Sequence, residues 1–362
     1  MLTTDGMVLI TGTAHAELAR EISALVDKPL TRAKISRFAD GEVSIQIDES
    51  IRGTDVFIVQ SCTSPVNDSI MELLLTVSCA RRSGAKRIIA VVPYYGYKHH
   101  RRGSSLSTKL QSRFLSSGAM DFARMLQEMG VDRVIAVDLQ RPGQGQEACF
   151  FDSSVPLEVV LSTDIMIDYV VGMMELDGPG VHAPIVVVTP NAECFKKARK
   201  FQVGLQRHSR AEVQLAAFFS SDTGSGPTDV TKLELVGNDV KLQGADVVIV
   251  DDMVDTGGTL ADLSKRLKAA GARRIFVAAS HGIFTENSMA NIDQAPVDRV
   301  VVTNSLPLPA ACSPKVVQVS LAPYLSNIIL AEYFRTMSTA VEEEFRQEVE
   351  GDGEEEDEDE DE

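Results

Sequence analysis

The stretch Ala245 to Leu260, A-D-V-V-I-V-D-D-M-V-D-T-G-G-T-L, restricts the architectures open to this chain more than any other. Val247 to Val250 form an unbroken β-branched run, the composition of a strand covered on both faces, as in a parallel sheet flanked by helices. At its carboxyl end stand Asp251, Asp252 and Asp255, then Thr256, Gly257, Gly258 and Thr259. From Leu260 to Ala270 the apolar residues recur at helical spacing. A strand that runs through a short polar loop into a helix N-terminus is where an open parallel sheet binds a phosphorylated ligand. Gly257 and Gly258 let the backbone close on a phosphate and present its N–H groups, and the hydroxyls of Thr256 and Thr259 add donors. Asp251 and Asp252 repel a bare phosphate, so ribose hydroxyls or a bound Mg2+ suit them better. The loop lacks the Walker lysine. The competing reading is an acidic turn that only caps a helix.

The rest of the chain alternates strands and helices. Strands are expected at 7–12, 55–60, 87–93 and 133–139, with helices at 14–26, 67–83 and 120–129. The second half repeats the grammar: a helix at 157–173, a strand at 184–188, a helix at 193–203 and a strand at 212–219. After the central stretch come strands at 274–279, 299–303 and 316–319 and a closing helix at 323–335. Strands that alternate with helices of about ten or more residues imply βαβ units and an α/β fold with mainly parallel sheets. A length of 362 residues suits two such domains, divided near residue 155 into 1–155 and 156–338.

The remaining segment, 339–362, is expected to be an acidic disordered tail, because Glu350 to Glu362 holds eleven acids and no base. Those acids account for most of the net charge of −17, leaving a body of ordinary balance. The tail is either a solubilising extension or an electrostatic dock for a basic partner. Cys62, Cys79, Cys149, Cys194 and Cys312 are odd in number and show no C-x-x-C spacing, as in a reduced, cytoplasmic protein. No apolar run approaches the ~20 residues of a membrane span, and no basic stripe with interleaved aromatics suggests nucleic acid.

Several motifs in one order resemble the ribose-phosphate pyrophosphokinases, or PRPP synthetases. They are F-A-D-G-E-V-S-I at 38–45, S-I-R-G-T-D-V-F-I-V-Q-S at 50–61, S-P-V-N-D at 64–68 and P-Y-Y-G-Y at 93–97. F-F-D at 150–152, S-H-G-I-F at 280–284 and D-R-V-V-V-T-N-S-L-P at 298–307 complete the set. The resemblance implies two tandem phosphoribosyltransferase-like domains and a place in nucleotide biosynthesis. It implies that ribose 5-phosphate or PRPP sits on Asp251, Asp252, Asp255, Thr256, Gly257, Gly258 and Thr259. ATP would lie near Phe38, Asp40 and Glu42, contributed across a subunit interface, with Mg2+ on Asp251 and Asp252. Ser50 and Arg52 match a regulatory phosphate element of the family, although Arg52 also suits a surface ion pair. Homo- or hetero-oligomers with other PRPP synthetase subunits are implied as well. A single-domain phosphoribosyltransferase that consumes PRPP has no need of a duplicated architecture.

The same comparison marks departures. The arginine-glutamine-aspartate run expected after the Tyr-Gly-Tyr element is His99-His100-Arg101. The metal-ligating histidine of the Asp-Leu-His element is replaced by Gln140, and the acid expected after Thr-Pro by Asn191. Gln and Asn offer neutral oxygens, weaker ligands for a hard dication than carboxylate. The mobile Lys-x-Arg loop has its counterpart in S-S-D-T-G-S-G-P-T-D at 220–229, which holds no base. Lys98, Arg101 and Arg102 remain as candidates to hold the transferred phosphates, or form a solvated basic turn. Diphosphoryl transfer from ATP relies on metal and cationic groups at the transferred phosphates. A chain with these substitutions is therefore expected to bind the pentose phosphate and to turn over slowly, or to serve active subunits as a regulatory partner.

Overall fold

The computed structural model describes residues 4–97, 118–139, 151, 154–175, 183–190, 194–220, 233–236 and 240–335. The expected basic cluster Lys98, His99, His100, Arg101 and Arg102 lies outside the described residues, as do Gln140, Asn191, the 221–232 loop and the acidic tail. Two sheets carry the fold. The first has five parallel strands in the order β1 (Met7–Thr11), β4 (Asp55–Val59), β5 (Arg87–Val92), β6 (Arg133–Val137) and β7 (Leu157–Val160). Between β1 and β4 the chain makes an antiparallel hairpin, β2 (Ala33–Arg37) and β3 (Val43–Ile47), which stands apart as its own small sheet.

The second sheet has seven strands in the order β10 (Leu233–Val236), β9 (Val213–Ser220), β8 (Ile185–Thr189), β11 (Asp246–Val254), β12 (Arg274–Gly282), β13 (Arg299–Thr303) and β14 (Val316–Val319). Among these only β10 runs antiparallel to its neighbour. Both halves follow one plan: a strand, an excursion containing an antiparallel pair, then four more parallel strands in sequence. Central strands such as β4 and β8 are buried along their whole length, which explains why they read as continuous apolar runs rather than alternating ones.

Helices α1 (Ala16–Leu25), α2 (Val66–Arg82), α3 (Gly118–Met129), α4 (Thr163–Met174), α5 (Phe195–His208), α6 (Gly258–Ala269) and α7 (Ser288–Gln294) cover the sheets, with a closing helix α8 at 322–335. The single helix expected over 157–173 is two elements. Leu157–Val160 pairs in register with Val134–Val137, and α4 starts only after Ser162. Pro156 and the β-branched pair Val159-Val160 favour the strand, and the Ser162-Thr163-Asp164 start signal was hidden inside an apolar run.

The two halves exchange their last helices. After β7, α4 leaves the first sheet and packs Met166, Ile167, Val170, Val171 and Met174 with Val187, Phe276 and Val301 of the second. After β14, α8 returns and packs Leu325, Ile329 and Tyr333 with Leu9, Phe57 and Ile89 of the first. Glu332 on α8 meets Arg87 and Arg133 at 3.1 Å each, and the Tyr333 hydroxyl accepts the Gly6 N–H. The division at residue 155 therefore does not follow the sheets, since both β7 and α8 belong with the first one.

Candidate functional site

The acid-rich loop forms where the sequence places it. β11 is longer than its apolar run and carries Asp251 and Asp252 within its last residues, because pairing with β12 continues as far as Val254↔Gly282. Gly257 caps α6 with φ of 73°, a left-handed conformation that glycine adopts without steric cost. The Gly258 N–H faces the Thr256 hydroxyl at 3.4 Å. Two residues from the following segment brace the loop: Thr285 donates its hydroxyl to Asp255, and Asn291 donates its amide to the Thr256 carbonyl at 2.8 Å. Asp251, Asp252, Asp255, Thr256, Gly257, Gly258 and Thr259 thus share one strand–loop–helix corner at the carboxyl edge of the second sheet.

Asp251 accepts the Asp252 N–H at 2.8 Å and the Cys194 thiol at 3.3 Å. Burial, and next the adjacent charge of Asp252, push its carboxyl up to about 7. The buried Cys194, just before α5, has its thiol pushed far above the ordinary range by burial and then by Asp251 and Asp252. One ligand atom from each of Cys194, Asp251 and Asp252 lies within 4.8 Å of the others. The two carboxylates fit a divalent cation. The thiol is an unsuitable ligand for Mg2+, which prefers oxygen donors. Burial, then Cys62 and after it Asp255 and Asp252, raise the phenol of Tyr94, which follows β5 in the other half.

A second buried cluster joins the halves beneath this site. Asp138, at the end of β6, accepts hydrogen bonds from the Ser162 and Ser280 hydroxyls and from the Ser162 N–H at 3.2 Å, and pairs with Lys197 of α5 at 3.5 Å. Burial raises the Asp138 carboxyl, but the Lys197 ammonium and the two hydroxyl donors outweigh it and hold the group well below the usual carboxylate range. The repeat has a matching corner. Asn304 after β13 accepts the Leu321 N–H at 2.7 Å, and its own N–H bonds to Val319, as the Asp138 N–H bonds to Val160. Nearby, the fully buried His281 bonds Ser305 at 2.8 Å and meets the Tyr94 ring edge-on at 5.0 Å.

Phe38, Asp40 and Glu42 form the tip of the β2–β3 hairpin. Phe38 is 60% exposed, its N–H bonds to the Glu42 carbonyl at 2.9 Å, and Asp40 accepts the Glu42 N–H at 3.1 Å. Below the tip, Arg37 reaches Asp68 and Glu72 of α2. Ser50 and Arg52 are exposed before β4, with the Arg52 side chain over Gly84. Cys194, Lys197, Ser280, Thr285 and Asn291 had no place in the sequence-based site. Cys194 looked like one scattered thiol among five, and no motif or spacing joins residues 138, 194–197 and 280 before the chain folds.

The chain is similar to known proteins over most of its length. A family model for the N-terminal domain of ribose phosphate pyrophosphokinase matches residues 7–130, and one for a phosphoribosyl synthetase-associated domain matches residues 225–339. The chain is 36% identical over 325 residues to a ribose-phosphate pyrophosphokinase of Vibrio vulnificus, covering 89% of this chain and 95% of that one. A ribose-phosphate pyrophosphokinase of Aquifex aeolicus is 33% identical over 331 residues, covering 90% and 95%. A crystal structure of phosphoribosylpyrophosphate synthetase from Mycobacterium smegmatis superposes with a TM-score of 0.75 at 28% identity, covering 91% of this chain and 99% of that one. Duplicated α/β halves, the braced acidic loop and likeness over nearly the full length place this chain in the ribose-phosphate pyrophosphokinase family.

Proposed function

We propose that the chain binds ribose 5-phosphate or PRPP at the Asp251–Thr259 corner and ATP at the Phe38–Glu42 hairpin tip, with its own diphosphoryl transfer impaired. The observation that carries the reading is the corner itself: paired carboxylates at a strand end, a left-handed Gly257 and a helix that begins at Gly258. The glycine backbone and the Thr256 and Thr259 hydroxyls receive the phosphate, while Asp251 and Asp252 orient the ribose hydroxyls or hold a divalent cation. Such a cation, when bound, supplies charge neutralisation at the diphosphoryl group. Gln140, Asn191 and the base-free 220–229 stretch are the substitutions behind the impairment, and Lys98, Arg101 and Arg102 are the remaining candidate cations. A chain that keeps the pentose site and loses the transfer machinery suits a regulatory subunit assembled with active synthetases.

Likeness to proteins named ribose-phosphate pyrophosphokinase over nearly their whole length favours a second reading, an active synthetase with substituted catalytic groups. Assaying the purified chain for PRPP from ATP, ribose 5-phosphate and Mg2+ separates the two. The expected result is calorimetric binding of ribose 5-phosphate without appreciable turnover, and activity that changes only when an active synthetase is mixed in. Robust turnover by the chain alone would establish the second reading. Asp252→Ala is expected to abolish ribose 5-phosphate binding, and an unchanged affinity would remove the site assignment.

We assign small-molecule and protein partners and a cytoplasmic location to this reading; among the described residues no helix is long and apolar enough to cross a membrane.

A further inference from the structure

We propose that Cys194 makes the acid pair a mixed sulfur–oxygen site that takes a thiophilic divalent cation, of the Zn2+ or Co2+ class, in preference to Mg2+. The inference rests on the reading of Asp251 and Asp252 as cation-holding acids and adds a ligand from a different element. β11 supplies the two carboxylates, and the residue before α5, a helix packed on both β8 and β11, supplies the thiol. Two ligands on one tetrahedral ion, with metal–sulfur and metal–oxygen bonds of about 2.3 and 2.1 Å, lie roughly 3.5 Å apart. The Cys194 Sγ to Asp251 Oδ1 separation is 3.3 Å, and the set spans no more than 4.8 Å. Little movement closes that geometry.

The hardness of the donors decides the ion. Mg2+ wants an octahedron of oxygens, whereas thiolate sulfur favours Zn2+ and its neighbours. The donor that the described residues bring to the acid pair is a sulfur, Cys194 Sγ, aimed at Asp251. Binding replaces the Cys194 S–H bond with a sulfur–metal bond, and the proton passes to solvent. Water completes the coordination shell on the open side of the loop. Because the ion would occupy the acids that face the ribose, the site ties pentose-phosphate binding to the kind of metal present.

Cobalt reports sulfur ligation directly. The full chain, kept reduced with a non-thiol reductant, is titrated with Co2+ and followed by absorption, then with Zn2+ in competition. The same preparations are titrated with ribose 5-phosphate by calorimetry. The expected result is a near-ultraviolet sulfur-to-cobalt band in the natural chain, its loss in both Cys194→Ser and Cys194→Ala, and Zn2+ affinity lowered at least the roughly tenfold that even outer-shell losses cost. Circular dichroism checks that each variant is folded. A sulfur band that survives both substitutions belongs to other thiols and overturns the proposal. Visible cobalt bands without any sulfur band also overturn it, but leave the acids as a hard-cation site. No Co2+ binding at all, with ribose 5-phosphate still bound, removes both metal assignments and keeps the pentose site.

Discussion

At the level of single residues, Asp138 and Lys197 form a buried ion pair between the two halves. Their side chains are 8% and 10% exposed, so this is a desolvated pair held with hydroxyl partners rather than a surface one. Lys197→Met leaves a buried carboxylate without its counter-ion, a change expected to cost about 3–5 kcal/mol. Urea denaturation checks it, and a loss under about 1 kcal/mol would show that the serines alone satisfy Asp138. The sign of the pH dependence follows from the lowered carboxyl. Its stabilisation is fully present above the unfolded value of about 3.9 and is lost as pH falls through the folded one. The urea midpoint is therefore expected to drop on acidification below about pH 4, and to drop less steeply in Asp138→Asn. Equal slopes would remove Asp138 from the acid transition.

At the level of elements, the β11–loop–α6 corner separates two uses of glycine. Gly257 sits at φ of 73°, and a Cβ there would meet the Ser288 carbonyl at an ordinary 3.5 Å, so crowding is not the difficulty. The left-handed backbone is, and Gly257→Ala is expected to cost about 1–2 kcal/mol of stability. At Gly258 a Cβ would meet only Thr256 Oγ1, at 3.7 Å, with an ordinary backbone. Gly258→Ala should leave the melting temperature within a few degrees and still weaken ribose 5-phosphate, because the methyl enters the space where the phosphate approaches the amides. If Gly258→Ala binds as well as the natural chain, the phosphate does not sit against that turn. The hairpin tip behaves differently. Phe38 is exposed, so Phe38→Ala is expected to change stability by no more than about 0.5 kcal/mol while weakening ATP, as measured by calorimetry. An unaltered ATP affinity would clear Phe38 of that role.

At the level of the whole molecule, the exchange of α4 and α8 makes each half incomplete without the other. Leu325 and Ile329 are fully buried against the first sheet, and each such side chain contributes about 1.5–3 kcal/mol. A chain ending at residue 321 is therefore expected to lose amide-exchange protection in β1, β4 and β5, although the deletion follows the second sheet in sequence. Loss confined to β12–β14 would contradict the exchange. Much of this protein was legible before folding: the α/β class from the alternation of strands and helices, the duplication from its repeated order, and the strand–loop–helix corner from Val247 to Thr259. Those features are local, encoded in periodicity and in residue types that sit next to one another. What tertiary structure alone decided was long-range. Leu157–Val160 became a strand because β6 offered an edge to pair with, and the last helices each packed on the opposite sheet. Cys194 reached Asp251 because the parallel pairing of β8 and β11 sets their ends side by side, and Lys197 reached Asp138 because the two halves pack together.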